Sequence, residues 1–178
     1  NNTVTFNALA DGTYDNCIIS VTSSSDVVSD NLSVNSFKID TTAPTLDNVT
    51  IASNNDVTTL AKTDDIITLT FTPAETIKTP SVSIAGHTAE TLNASGSSWI
   101  ATYTMKSTDS DNQTVSLNVS FDDTTGNAGI DVDNTTDGSA VFFDRTPPKV
   151  NEETAVPNPT NDNTSDYTFN SDDAGTIT

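Results

Sequence analysis

Between Ile66 and Pro73 every second residue is apolar: Ile67, Leu69 and Phe71 share one side, and Thr68, Thr70 and Thr72 share the other. A period of two puts successive side chains on opposite faces of an extended chain, whereas a helix would scatter these three apolar residues around its circumference. The same alternation recurs in Val82 and Ile84, in Trp99, Ala101, Tyr103 and Met105, and in Val115, Leu117, Val119 and Phe121. Half-buried antiparallel strands account for it. Turn-forming clusters at Gly86-His87, Asn93 to Gly96 and Asp109 to Asn112 separate the runs. With LDNVTIAS at 46–53 before them and SAVFFD at 139–144 after them, the chain offers six or seven strands in about 100 residues. That spacing predicts an all-β immunoglobulin-like β-sandwich. Leu69, Phe71, Trp99, Tyr103, Leu117 and Phe121 are its expected interior.

Composition agrees with strands. Only 33% of the 178 residues are hydrophobic and 17% are charged, and the remainder is dominated by Thr, Ser, Asn and Asp, which favour strands and turns over helices. The net charge is −19, and the six basic residues (Lys38, Lys62, Lys78, Lys106, Arg145 and Lys149) stand singly. No basic patch exists to neutralise phosphates, which excludes nucleic acid as a partner. No run is long and apolar enough for a membrane-spanning helix. Cys17 is the single cysteine, so no internal disulfide can form.

Two stretches organise the chain. FKIDTTAPT at 37–45 and FFDRTPPKV at 142–150 each place Asp-x-Thr-x-Pro directly after a strand-like run. Pro44 and Pro148 fix φ and remove a donor, so each motif ends a strand and begins a linker. The spacing of about 100 residues marks a tandem array. We therefore expect residues 1–40 to be the C-terminal part of one unit and 46–144 to be a whole unit. Residues 149–178 would begin a further one, with linkers at 41–45 and 145–148. The first residues already read as a strand, as if excised from something longer. TVTFNAL, TYDNCIISVTS and NLSVNSFKI read as three strands, with Leu9 to Tyr14 a tight corner like the tyrosine corner of such sandwiches.

On these residues the chain resembles the tandem bacterial Ig-like repeats of large secreted and cell-surface adhesin-type proteins. IDTTAPT at 39–45 matches their strand followed by D-x-T-A-P, and FDDTTGNAG at 121–129 looks like the segment before their last strand. DGTYDNC at 11–17 is similar to the G-x-Y-x-x-C segment of one subclass. FDRTPPK departs from the usual wording at Arg145 and Pro147. The resemblance implies an extracellular or cell-surface location and a role as stalk, adhesin extender or fibre. Neighbouring copies of the same repeat would be its partners, in the same chain or in an adjacent subunit. It also implies a partner for Cys17 just beyond Thr178. Two alternatives stand beside that role: a filament subunit completed by strands from another chain, and a carbohydrate- or cell-binding module built around Trp99.

Enzymatic chemistry is not expected. His87 is the only histidine, Cys17 lies in a different unit, and no metalloprotease, thiol, serine-elbow or phosphate-loop motif occurs. The acidic loops are the informative feature. The loop from Asp122 to Asp133 should return to the end of the unit where the first linker enters. Asp40, Asp122, Asp123 and Asn127 are thus candidate ligands for Ca2+, which takes six to eight oxygen ligands. At the opposite end, Asp144 should approach Asp109 and Asp111. Asp, Asn and Gly also simply make good turns, so the same residues have a purely structural reading.

Overall fold

The computed structural model describes residues 3–5 and 7–177. Among them there is no helix; sixteen short strands form several small sheets. The first part of the chain holds β1 (Gly12–Tyr14), β2 (Ile18–Ile19), β3 (Leu32–Ser33) and β4 (Phe37–Ile39). β1 pairs antiparallel with β4, and β2 with β3. The Tyr14 hydroxyl donates to the Ala10 carbonyl at 2.8 Å, which pins the corner that the sequence suggests. TVTFNAL forms no strand among its described residues, and the two longer runs after it are each cut to two short strands.

The middle of the chain carries the core. It contains β5 (Leu46–Ser53), β6 (Leu60–Ala61), β7 (Ile66–Pro73), β8 (Ser81–Ile84) and β9 (His87–Thr88). These are followed by β10 (Thr91–Ser95), β11 (Ser98–Thr104), β12 (Gln113–Thr114), β13 (Leu117–Ser120) and β14 (Phe142–Phe143). One sheet has the order β10-β11-β7-β5, a second β12-β14-β6 and a third β13-β8-β9. Every pairing is antiparallel except β14 with β6. Alternate residues of all three sheets meet in one buried cluster that includes Val49, Leu69, Phe71, Ile84, Tyr103, Val119 and Phe143. Leu117 and Phe121 are buried with them, whereas Trp99 packs against the cluster and stays half-buried.

Two expectations need correcting. Asn93 to Gly96 is not a turn: Thr91 to Ser95 is strand, and Gly96-Ser97 alone turns the chain from Ser95 to its partner Ser98. Gly96 takes φ +63, the left-handed conformation that glycine adopts without a Cβ penalty. Nor is 113–121 one continuous strand. Val115 donates its N–H to Val141 O, but Ser116 O already accepts from Ala85, so the run changes sheet between them. The alternation survives because both sheets face the same core.

After the second linker, β15 (Val150–Thr154) and β16 (Thr168–Ser171) form a two-stranded ribbon exposed along its length. Among the described residues no strand of the first part pairs with a strand of this last part.

Candidate metal centre at the first linker

Asp40 ends β4 and starts the linker. Its Oδ1 accepts the Thr42 N–H at 3.3 Å, a short Asx-type turn that carries the chain toward Pro44. Asp11, beside β1, closes the linker from the other side. Its carboxylate accepts the N–H of Thr41 at 3.1 Å and the hydroxyls of Thr41 and Thr42 at 2.8 and 2.9 Å. Those bonds, the Thr41 N–H first, hold the Asp11 carboxyl below its ordinary range.

The loop after β13 supplies the opposite wall. Phe121 points into the core, so by strand alternation Asp122 points out and Asp123 points back in. Asp123 is buried and serves as the hub of its loop. Oδ1 accepts the N–H groups of Thr125, Gly126 and Asn127 at 2.8, 2.6 and 2.9 Å, and Oδ2 accepts the Asn127 amide at 2.7 Å. Burial alone would raise its pKa; the hydrogen bonds from Asn127, Thr125 and Gly126 outweigh that and leave it well below the usual carboxylate range. The same Asn127 amide reaches the Asp40 carbonyl at 3.0 Å and so ties loop to linker.

Asp40, Glu75 and Asp123 bring carboxylate oxygens within 4.8 Å of one another. The cluster can hold a metal. Its donors are all oxygen, which suits Ca2+ or Mg2+; no imidazole or thiolate is present to favour zinc or copper. It already contains one cation. The Lys38 ammonium lies 2.7 Å from Asp40 Oδ2, and Asp40 first, then the charges of Glu75 and Asp123, raise its pKa.

Of the residues expected here, the structure brings together Asp40, Asp123 and Asn127. Asp122 lies outside: it is exposed, and its backbone carbonyl instead accepts the Lys78 N–H. Glu75 is the member that sequence reasoning missed. Its signal was available, because β7 runs toward the linker end and Glu75 is the second residue past it.

Of the residues expected at the other end, Asp111 and Asp144 meet at Thr146, whereas Asp109 does not join them. Asp109 turns inward, accepting the Tyr103 hydroxyl at 3.1 Å and the Lys106 N–H at 2.7 Å, with His87 Nε2 at 3.1 Å. Asp111 instead closes the second linker, accepting the Arg145 N–H at 2.8 Å and the Thr146 hydroxyl at 2.7 Å. Asp144 Oδ1 accepts the Thr146 N–H at 2.8 Å, as Asp40 does for Thr42. The Thr146 hydroxyl, then the Arg145 N–H, hold the Asp111 carboxyl below its ordinary range.

None of the protein-family models, curated proteins or solved structures compared with this chain matches it.

Proposed function

We propose that this chain is a non-enzymatic structural module of an extracellular stalk, adhesin extender or fibre, built from Ig-like β units joined end to end by stiff linkers. One observation carries the reading: both linkers are closed by the same hydrogen bonds. Asp11 and Asp111 each clamp the first backbone N–H after the strand-ending aspartate together with a threonine hydroxyl. Asp40 and Asp144 each accept the N–H two residues on. A carboxylate that satisfies linker donors on both sides leaves few conformations open, and a proline after them removes more. Such a linker transmits orientation from unit to unit. The carbohydrate alternative is weaker, because Trp99 packs against the core cluster and does not stand free as a ledge.

A second reading adds a cation. Three carboxylates within 4.8 Å favour Ca2+ at the first linker, where it would stiffen the joint further.

Distances between spin labels placed on either side of a linker test the module directly. The intact chain should give narrow distributions across both linkers. Asp111→Ala should broaden the second and leave the first unchanged. Broad distributions in the unaltered chain would overturn the reading.

A further inference from the structure

We infer that residues 31–40 of one copy of this chain close the open edge and apolar face of the β15–β16 ribbon of a second copy, joining chains head to tail. The inference rests on the repeated-unit reading above and names a partner for it.

The middle of the chain shows how such a ribbon is closed. Residues 136–139 run along the outer edge of β5, and 142–143 then join β12 and β6. Val49 donates its N–H to Thr136 Oγ1 at 2.9 Å and accepts the Thr136 N–H at 2.9 Å, and Ile51 donates to Ser139 Oγ at 2.9 Å. The same stretch then delivers Val141 and Phe143, both fully buried, to the core. β15 and β16 repeat the β5–β7 pair. Leu46 faces Pro73 as Val150 faces Ser171, and one irregularity follows in the first strand of each. Ala74 N–H returns to Thr45 O at 2.9 Å, as Asp172 N–H returns to Lys149 O at 3.2 Å. Counting back from Pro73 and Ser171, Tyr167 and Phe169 occupy the places of Leu69 and Phe71. Their surroundings differ sharply: Leu69 and Phe71 are 0% exposed, whereas Tyr167 is 54% and Phe169 38% exposed. With Pro148, Val150 and Ile177 they line a groove of about 440 Å³. One charged group shares this face: Glu152 stands opposite Phe169, where Val49 stands opposite Phe71, and accepts the Tyr167 hydroxyl at 3.0 Å. A largely apolar face and an unpaired strand edge of this kind invite another segment to add on.

The occupant follows from the same correspondence. Residues 31–40 end on Asp40 as 135–144 end on Asp144, each followed by a linker closed in the same way. β4 pairs with β1 as β14 pairs with β12. Phe37 and Ile39 stand where Val141 and Phe143 stand, but they are only half-buried. Among the described residues of one chain no strand of the two parts pairs. The first linker enters beside Pro73 and the second leaves beside Ala61, at opposite ends of the eight-residue β7, about 25 Å apart at strand rise. The proposed match is assigned to two copies.

Light scattering of the intact chain at rising concentration tests this. The mass should grow in steps of 18.7 kDa. Phe169→Asp and, separately, Leu32→Asp should each hold the chain as a monomer. Mixed together they should give a dimer and nothing longer, because only one intact head and one intact tail remain. Unchanged emission from Trp99, in the middle of the chain, checks that each variant folds. As a second measurement, Asn35→Cys with Ala155→Cys in a Cys17→Ser background should oxidise to a ladder of linked chains. A chain that stays monomeric and forms no ladder overturns the inference, as does either single variant that still pairs with itself. If such a monomer keeps narrow distances across both linkers, the structural-module reading survives alone. If its linkers are slack, that reading fails as well.

Discussion

Burial of the Tyr103 ring, together with the Asp109 carboxylate that accepts its hydroxyl and the charge of Glu90, pushes the phenol up to about 12. A raised value means that the folded chain holds this proton more tightly than the unfolded one. The resulting stabilisation is complete below about 10, the ordinary tyrosine value, and is lost as pH rises through about 12. The Tyr103 ring also stacks on His87 at 5.3 Å and lies under the Lys106 ammonium at 5.0 Å, so its exit would open the turn that carries Asp109. Alkaline titration of tyrosinate absorbance should therefore end in a late fraction that Tyr103→Phe removes and Asp109→Asn moves to lower pH. Were the late fraction to persist in Tyr103→Phe, the hydroxyl could not be the buried donor described here.

At the scale of elements, the alternation that defines β7, β11 and β13 was legible because each strand keeps one face on a single core. The change of sheet at Ser116 was not, since alternation reads the same whichever sheet a strand joins. Short strands such as β2 and β3 were over-extended for a related reason: Thr, Ser and Asn suit strands and turns alike. Asp40 and the 122–133 loop could be placed at one end from the order of strands, and the same order puts Glu75, two residues past β7, at that end. The loop's rigidity depends on Gly129, whose N–H closes on Phe121 O at 2.9 Å. A Cβ there would fall inside the buried Phe121 ring. Gly129→Ala should thus cost about 1–3 kcal/mol as overpacking, read from the midpoint of urea unfolding. An unchanged midpoint would mean that the loop shifts freely and does not hold Asp123 in place.

For the molecule as a whole, a net charge of −19 means that any cation near the linkers is worth more than its local contacts suggest. At the first linker that cation is Lys38, tethered to β4 and paired with Asp40. A calcium ion entering the Asp40, Glu75 and Asp123 cluster must displace the ammonium and take over carboxylate oxygens that now accept hydrogen bonds. Both demands lower its affinity, so any Ca2+ binding at this cluster is expected to be weak, at about 10⁻⁴–10⁻³ M. Lys38→Gln removes the tethered competitor and leaves three carboxylates uncompensated. Its linker should loosen in chelator, its distance distribution should narrow again when Ca2+ is added, and calorimetry should show tighter binding than in the unaltered chain. Adding Glu75→Gln to it should weaken that binding, since one ligand is lost at an exposed position without disturbing the Asp123 loop. If Lys38→Gln binds no Ca2+, or its linker distances ignore the ion, the cluster acts only as the seat of the lysine, and the first linker is stiffened by hydrogen bonds and that single ion pair.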